Sequence, residues 1–592
     1  MRYQIPLAAF PFVGFTAATA ISSTNCSASA FQKIINANGT EARVQWATYV
    51  PEGGSLNPMN YTSASEYPTG LPESCAVQVN VASEGNSSYL VGVIFPYNWN
   101  GRMLSAAAGG GINWVDMGTG THYGFAAVSS NLGHEGIDTA GTWALGRPEA
   151  VIDWGYRAWH GATTLAKLLI SGRYGSGPAY SYFYGCSTGG RQSMKNMQVY
   201  PDDYDGIIAG APAWWTTHQQ LYNLKQTTYQ APANSSHTIP EEMFSVLAAE
   251  VLRQCDPQDG LVDNIISNPE GCVFNPSTLA CNSTSAPNTC LTTNQLNTLY
   301  KIYNDWVDTN QTFVYSHLFY GSESSWLEGN IGLGEESTIS QQYWFLRDLM
   351  GLGDSFVWQD LDFSTVVLAD HLNPGNATAG QYDISEFEKR GGKFIHYHGL
   401  SDSYVSPGAS TFYYDQAKSA VQANGVDDVD DFYRLFLIPG MEHCYNTPTD
   451  MNAPWYIAGA DQASTINTST WSVPGYRDAK HDVVLAMMAW VENGTAPDSI
   501  VATVWKNTTN AQEVLRQRPV CHYPYQAKYT GKGDPDEAEN WESLLRCKSR
   551  WTATCDLLQV CTIIVSGISI SKGILTPVSY EPLITPKTMQ SS

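Results

Sequence analysis

One stretch of the 592-residue chain decides the fold, and it reads Tyr182-Phe183-Tyr184-Gly185-Cys186-Ser187-Thr188-Gly189-Gly190. It places the pattern Gly-x-Ser-x-Gly between an aromatic strand, predicted over 180–184, and a helix, predicted over 192–199. A serine in such a sharp, strained turn exposes its hydroxyl, and the flanking glycines let strand and helix backbones approach closely. We therefore predict that Ser187 is a nucleophile, with an ordinary glycine-rich turn as the alternative.

Strands and helices alternate on both sides of this turn. Apolar runs predict strands, and apolar residues at helical spacing predict helices. The strands are predicted at 89–95, 101–108, 123–129, 206–211, 393–398 and 433–438, and the further helices at 156–170, 409–423 and 482–492. Such alternation indicates an α/β fold, in which helices cover both faces of a parallel sheet. From Pro212 to about Tyr382 the alternation fades, which predicts an inserted segment of the kind that forms lids.

Two residues after later strands complete a candidate triad with Ser187. A serine needs a base that takes its proton and a carboxylate that orients the base, and in this type of site they follow in the order Ser, Asp, His. Asp402 follows the strand that ends at His398, and His443 follows the next strand. Both side chains are thus expected at the edge of the sheet where Ser187 is expected.

Other residues of these types are weaker candidates. His134 or His160 is an alternative base. We expect His396 and His398 to be packed strand residues and Glu442 to be a solvated neighbour of the site.

The twelve cysteines predict a disulfide framework, although sequence alone does not fix the pairing. Cys186 precedes the candidate nucleophile and Cys444 follows the candidate base, so a bond between them would hold the two loops together, whereas two buried free thiols are the alternative. Spacing along the chain favours four further pairs: Cys26 with Cys75, Cys255 with Cys272, Cys281 with Cys290, and Cys521 with Cys547. Cys555 and Cys561 stay unassigned.

The N-terminus and the composition indicate where the protein works. Residues 1–20 carry Arg2, an apolar run and the small residues Ala18-Thr19-Ala20, which is the pattern of a cleaved signal peptide. Many Asn-x-Ser/Thr sequons favour a glycosylated surface, including those at Asn38, Asn60, Asn86, Asn234, Asn376, Asn467, Asn493 and Asn507. The net charge of −24 argues against nucleic acid or an anionic membrane as a partner. We expect a secreted, extracellular protein.

The motifs around the candidate triad resemble those of the tannase and feruloyl esterase family, over about residues 26–547. They are Gly-Cys-Ser-Thr-Gly-Gly at 185–190, His-Tyr-His-Gly-x-x-Asp at 396–402 and Gly-Met-x-His-Cys at 440–444. The resemblance implies an α/β-hydrolase core with a large inserted lid domain, the triad Ser187-Asp402-His443 and a Cys186–Cys444 bond. The expected segments are a signal peptide (1–20), the first part of the core (21–212), the lid (213–382), the second part of the core (383–548) and an unassigned extension (549–592).

A loop of the predicted lid is rich in carboxylates, and it reads Cys255-Asp256-Pro257-Gln258-Asp259-Gly260-Leu261-Val262-Asp263-Asn264-Ile265. Carboxylates supply the hard oxygen ligands that calcium prefers, although the spacing is not that of an EF-hand. The family resemblance implies a structural calcium held by the side chains of Asp256, Asp259 and Asp263 and the carbonyls of Leu261 and Ile265. A solvated acidic turn is the alternative.

An ester hydrolase also needs an oxyanion hole, in which two backbone N–H groups face the developing charge. Thr188 follows the nucleophile and is predicted to supply one N–H group. The run Gly109-Gly110-Gly111 follows a predicted core strand, so Gly110 or Gly111 is predicted to supply the other.

The resemblance implies hydrolysis of esters of aromatic acids, and we expect a feruloyl esterase acting on plant polysaccharide esters. A tannase acting on gallate esters is the nearest alternative, and a non-catalytic secreted binding protein is the alternative from another class. Calcium is the one cofactor that we expect. The oligomeric state stays open.

Overall fold

The computed structural model describes residues 26–107, 109–134, 141–284, 289–327 and 329–545, together with 555–556 and 560–561. The predicted signal peptide, Cys547 and most of the 549–592 extension lie outside the described residues. The chain divides into two units, Met1–Arg546 and Cys547–Ser592. In the second unit, two short strands, Cys555–Asp556 and Val560–Cys561, pair antiparallel.

The strands of the first unit form one large sheet and three hairpins. In chain order they are β1 (Ala42–Val50), β2 (Ser74–Ala82), β3 (Ser88–Pro96), β4 (Arg102–Ala107), β5 (Ala126–Ser130), β6 (Tyr180–Cys186), β7 (Gly206–Gly210), β8 (Trp306–Val307), β9 (Phe313–Tyr315), β10 (Lys393–Gly399), β11 (Tyr433–Ile438), β12 (Ser499–Trp505), β13 (Val514–Cys521), β14 (Tyr525–Tyr529) and β15 (Trp541–Leu545). Within the described residues, the large sheet has nine strands in the order β1-β2-β3-β5-β4-β6-β7-β10-β11. The six strands from β5 to β11 run parallel, and β1 to β3 add an antiparallel edge.

Helices connect these strands. In chain order they are α1 (Ala28–Ala37), α2 (Trp114–His122), α3 (Pro148–Ile152), α4 (Ala158–Tyr174), α5 (Thr188–Val199), α6 (Thr216–Gln230), α7 (Glu242–Cys255), α8 (Thr293–Ile302), α9 (Glu336–Gln341), α10 (Phe363–Leu372), α11 (Ser385–Lys389), α12 (Pro407–Ala423), α13 (Ala463–Ile466) and α14 (Val483–Asn493). None of these described helices is long and apolar enough to cross a membrane.

The sheet is buried on both faces, as the continuous apolar strands predict. Successive side chains of a strand point to opposite faces. Phe183 of β6 therefore joins one hydrophobic cluster, together with Ile207 and Phe394, while its neighbours Tyr182 and Tyr184 join another. The predicted α/β-hydrolase architecture is confirmed, because a parallel sheet lies between two apolar layers and carries the serine turn at the end of β6.

One long segment separates two neighbouring strands. Strands β7 and β10 pair in parallel, with Ile207 opposite Phe394, although residues 211–392 lie between them in the chain. This connection contains α6 to α11 and the β8–β9 hairpin. Part of it packs around its own apolar cluster, which includes Met243, Leu247 and Trp326. This arrangement agrees with an inserted lid, and the boundaries 213–382 stay a prediction.

Candidate active site

Ser187 occupies a sharp turn between β6 and α5. Its backbone has φ 59° and ψ −121°, a left-handed conformation that is strained for a residue with a side chain. The turn is fixed to the end of β7, because the Ser187 N–H donates to the carbonyl of Gly210 at 3.0 Å and the Ser187 carbonyl accepts from the N–H of Ala213 at 3.2 Å. The predicted strand-to-helix turn is confirmed.

Two glycines allow helix α5 to lie against the strands. A Cβ atom at Gly189 would lie 2.7 Å from the carbonyl oxygen of Ala107, and one at Gly185 would lie 2.8 Å from the carbonyl carbon of Gly189. Both approaches are closer than real Cβ contacts allow. The flanking glycines of the motif are thus required by backbone packing around Ser187.

Asp402 is fully buried in the loop after β10 and accepts four hydrogen bonds. Its Oδ1 accepts from the backbone N–H groups of Tyr404 at 2.8 Å and Val405 at 2.9 Å. Its Oδ2 accepts from Nδ1 of His443 at 2.7 Å and from Nε2 of His398 at 3.0 Å. Burial alone would raise the pKa of Asp402, but the charge of His443 and the hydrogen bonds from both histidines hold that pKa far below its usual range. Asp402 is therefore ionised across the working pH range.

His443 follows β11, and its imidazole is 20% exposed. Since a carboxylate only accepts, Nδ1 of His443 carries the hydrogen and Nε2 is left as the basic nitrogen. Burial alone would lower the pKa of His443, but the charge and hydrogen bond of Asp402, with a contribution from Asp461, raise it above the ordinary value. The ring of Tyr404 lies beside the imidazole, with 5.5 Å between centroids.

A disulfide between Cys186 and Cys444 joins the loops of Ser187 and His443, with 6.0 Å between the two Cα atoms. Cys186 directly precedes Ser187, and Cys444 directly follows His443. The bond and the Asp402–His443 contact together bring the three predicted residues to one edge of the sheet. The predicted pairing is confirmed, and the alternative of two free thiols is excluded.

The loops of Asp402 and His443 also contact each other through their backbones. The N–H of Ser401 donates to the carbonyl of Met441 at 2.9 Å, and the N–H of Leu400 donates to the carbonyl of Ile438, also at 2.9 Å. A Cβ atom at Gly399 would lie 2.2 Å from the Met441 oxygen, so only glycine allows this approach. The Gly-x-x-Asp spacing therefore sets the distance between the two loops.

Comparisons with known proteins agree with this geometry. The family model described as tannase and feruloyl esterase matches residues 75–342 and 364–544. A probable feruloyl esterase B-1 from Aspergillus oryzae is 31% identical over 514 residues, which cover 85% of this chain and 91% of the relative. The chain belongs to the tannase and feruloyl esterase family. It is therefore a carboxylic ester hydrolase.

Two solved structures of the family show the same fold. Feruloyl esterase B from Aspergillus oryzae superposes with a TM-score of 0.78 at 30% identity, covering 87% of this chain and 100% of that one. Tannin acyl hydrolase from Aspergillus niger superposes with a TM-score of 0.67 at 21% identity, covering 88% of this chain and 96% of that one. At 21% identity, the similarity to the tannin acyl hydrolase shows a shared fold and nothing more.

The predicted oxyanion groups lie beside Ser187 in the chain and in the sheet. Thr188 is the first residue of α5. Strand β4 pairs with β6 up to Ala107 opposite Gly185, and Gly109 to Gly111 follow two residues later. The N–H groups of Thr188 and of Gly110 or Gly111 thus remain the predicted donors of this family member.

The alternative bases have other partners. The ring of His134 stacks on Trp143 with 4.4 Å between centroids, and Nδ1 of His160 lies 2.9 Å from Oδ2 of Asp203. His396 and His398 are buried strand residues, as predicted. Their ring nitrogens also make hydrogen bonds, which were not predicted from the sequence, and His398 contacts Asp402 directly. Glu442 is half-buried.

Sequence reasoning did not find Asp461, which interacts with His443 through its charge. The Asp461 N–H donates to Oδ2 of Asp116 at 3.0 Å, and Nδ2 of Asn113 donates to both carboxylates, at 3.2 Å to Asp116 and 3.3 Å to Asp461. Burial raises the pKa of Asp461 to about 6. No motif marks Asp461, because it follows His443 by many residues in an irregular loop.

Three further predicted disulfides are formed: Cys26–Cys75, Cys255–Cys272 and Cys281–Cys290. The pair Cys521–Cys547 stays a prediction, because Cys547 lies outside the described residues. Within them, Cys521 is buried, makes no disulfide and interacts with Ser543 of β15.

The acidic loop is closed by its own hydrogen bonds. Asp256 accepts from the N–H groups of Asp263 at 3.1 Å and Asn264 at 3.0 Å, and Asp259 accepts from the N–H of Leu261 at 3.1 Å. Arg518 pairs with Asp263. Among the described residues, no group of three or more His, Cys, Asp or Glu side chains is arranged to hold a metal ion. Calcium at Asp256, Asp259 and Asp263, with the carbonyls of Leu261 and Ile265, stays a prediction.

We predict that replacing Cys186 and Cys444 together by alanine lowers the specific activity at least tenfold, an effect on positioning of about 1.4 kcal/mol. The matched control is the double replacement of Cys26 and Cys75. In a chain-entropy estimate, a bond across 49 residues (Cys26–Cys75) stabilises the protein by about 4 kcal/mol and one across 258 residues (Cys186–Cys444) by about 5–6 kcal/mol, so both variants should lose thermal stability. The measurements are melting temperature and activity per folded molecule. Equal loss of specific activity in both variants would contradict a positional role for the Cys186–Cys444 bond.

Proposed function

We propose that this chain is a secreted feruloyl esterase that releases hydroxycinnamic acids such as ferulate from plant cell-wall polysaccharide esters. The observation that carries this proposal is the likeness to feruloyl esterase B from Aspergillus oryzae, with 30% identity and a TM-score of 0.78 over the whole of that chain. The contacts around Ser187, Asp402 and His443 supply the chemistry that such a reaction needs.

In the proposed reaction, Ser187 Oγ attacks the ester carbonyl while Nε2 of His443 takes its proton. The carbonyl π electrons move to oxygen, and the N–H of Thr188 and that of Gly110 or Gly111 stabilise the oxyanion, each by roughly 3 kcal/mol. His443 then gives the proton to the leaving sugar oxygen as the ester bond breaks. This leaves an aromatic acyl group on Ser187.

Water completes the reaction by the same route. His443 takes a proton from the water that attacks the acyl carbonyl, and it returns a proton to Ser187 Oγ as the aromatic acid leaves. Asp402 accepts the Nδ1–H of His443 throughout and stabilises the imidazolium. The low pKa of Asp402 supports this role, because it keeps the carboxylate charged while the histidine cycles.

Secretion is supported by features of the surface and by the cysteines. The eight sequon asparagines named above, from Asn38 to Asn507, are all exposed, as attachment of glycans requires. Four disulfides are formed among the described residues, which suits an oxidising compartment. We propose that residues 1–20 are the signal peptide that directs this export.

The experiment that tests the proposed function compares methyl ferulate and methyl gallate as substrates of the purified protein. We expect higher kcat/KM for methyl ferulate, whereas a preference for gallate would favour the tannase alternative.

Ser187→Ala should lose on the order of 10⁶-fold in kcat. His160→Ala is the control for His443→Ala, because both remove an imidazole that contacts an aspartate. Turnover by Ser187→Ala within tenfold of the parent would exclude this mechanism and leave the binding-protein alternative.

We predict that kcat/KM rises with pH as His443 loses its proton, with a midpoint above 6.5, because its pKa is raised. Asp461→Asn removes a negative charge that favours the protonated imidazole, so the midpoint should move to lower pH. The measurement is the pH profile of kcat/KM. Asp478→Asn, which alters an exposed aspartate paired with His481, is the control and should leave the midpoint unchanged. An upward shift in Asp461→Asn would contradict the assignment.

We propose further that the acidic loop binds a structural calcium ion. Carboxylate and carbonyl oxygens suit calcium, and a bound cation would offset the burial that raises the pKa of Asp256 and Asp259. Both oxygens of each carboxylate already accept a backbone N–H, so the ion would share them with these bonds. At Asp263 the ion would compete with Arg518.

We predict that calcium at about 100 times Kd stabilises the folded protein by roughly 2.7 kcal/mol, since it binds only the folded loop. EGTA should therefore lower the melting temperature of the dialysed, calcium-loaded protein. The measurements are elemental analysis and thermal unfolding, with Asp259→Asn expected to lose both the ion and the response to EGTA. A parent protein without calcium, and with a melting temperature indifferent to EGTA, would favour the solvated acidic turn.

A further inference from the structure

A buried row of hydrogen bonds leads away from Asp402 through His398, which shares the carboxylate oxygen Oδ2 with His443. Nε2 of His398 lies 3.0 Å from Oδ2 of Asp402, and Nδ1 of His398 lies 2.6 Å from Oγ of Ser410 on α12. Nε2 of His396 lies 2.8 Å from the same Oγ, and Nδ1 of His396 lies 2.9 Å from the hydroxyl of Tyr433. All five side chains are fully buried.

The contacts between His398 and Asp402 determine which ring nitrogen of His398 carries a hydrogen. Nε2 of His398 faces two oxygens, Oδ2 of Asp402 at 3.0 Å and the carbonyl of Val405 at 2.9 Å. An ionised carboxylate and a carbonyl only accept, so Nε2 of His398 carries a hydrogen. In the neutral imidazole the other ring nitrogen is an acceptor, so Nδ1 of His398 accepts from Ser410.

The direction of every other bond then follows. A neutral His398 accepts the only hydroxyl hydrogen of Ser410, so Ser410 Oγ accepts from Nε2–H of His396. Burial holds the pKa of His396 well below its ordinary value, so His396 is neutral and its Nδ1 accepts from the Tyr433 hydroxyl. Each donor points toward Asp402, and each bond polarises the next.

We propose that Ser410, His396 and His398 form a one-way row of hydrogen-bond donors that positions Asp402 and shares its charge. They are positioning residues, since they act on the reaction through Asp402 and His443. The inference rests on the proposed triad. Its consequence is that Asp402 keeps its charge in a fully buried place while its Oδ2 is held in line with Nδ1 of His443.

Several titratable groups surround this row. Asp402 faces His398 and His443, and its charge also acts on Tyr315. His443 is further influenced by Asp461. At the far end, burial raises the pKa of Tyr433 well above its ordinary value, with Tyr413, Tyr414 and Asp415 adding to the shift, so the Tyr433 hydroxyl keeps its hydrogen.

The first experiment measures kcat, KM and the pH profile of Ser410→Ala. Without the Ser410 hydroxyl, His398 is a weaker donor and more of the Asp402 charge acts on His443. We expect kcat to fall about three- to tenfold, the range for one lost hydrogen bond, while KM changes less than about twofold. The acidic limb of kcat/KM should move to higher pH, because the pKa of His443 rises.

Two variants of the same helix serve as controls. Ser410→Thr keeps the hydroxyl and should restore most of the lost kcat and the parental pH midpoint. Thr411→Val removes the neighbouring buried hydroxyl, which donates only to the carbonyl of Gly408 within the helix, and it should match the parent. A Ser410→Ala enzyme whose kcat and pH midpoint equal those of Thr411→Val would overturn the proposal.

The second experiment reads the hydrogens directly by neutron diffraction from deuterium-exchanged crystals of the parent enzyme. We expect deuterium on Nε2 of His398 and on Nε2 of His396, with the Ser410 deuterium directed at His398. Deuterium on Nδ1 of His398 would overturn the proposal. The Ser187→Ala variant distinguishes a failure of the proposed triad from a failure of the donor row. If Ser187→Ala retains turnover, the triad assignment is wrong. If Ser187→Ala is inactive while Ser410→Ala behaves like the parent, only the donor row is wrong.

Discussion

The active site depends on one buried carboxylate. An ionised group without contact to water costs several kcal/mol unless hydrogen bonds replace its hydration. Asp402 receives such bonds from two backbone N–H groups, those of Tyr404 and Val405, and from two imidazoles, those of His398 and His443. Because half of these donors belong to its own loop, the shape of the loop and the charge of the side chain stabilise each other.

Sheet geometry explains why a covalent bond accompanies this carboxylate. Strands β6 and β11 are separated by β7 and β10, which places them about 14 Å apart at the usual spacing between strands. The Cα atoms of Cys186 and Cys444 are nevertheless 6.0 Å apart. The loop after β11 must therefore reach back across β7 and β10 to Cys186 at the end of β6, and the bond holds it in that position.

The features that were predicted from the sequence are those with local signatures. The turn at Ser187 requires glycines at fixed positions, and β10 and β11 are largely buried strands that end at Gly399 and Ile438, a few residues before Asp402 and His443. Strand β1 was missed because it is half exposed and mixes polar with apolar residues, without a regular period. Ser410 and Asp461 were missed because they join the site only through tertiary contacts.

The segment between β7 and β10 begins and ends at two strands that pair with each other. The register of the sheet is therefore independent of what this segment contains. Doubling the length of a flexible connection costs only about 0.6 kcal/mol of closure entropy, so such a segment tolerates large changes during evolution. Natural selection can thus change this connection while the sheet that carries Ser187, Asp402 and His443 is inherited unchanged.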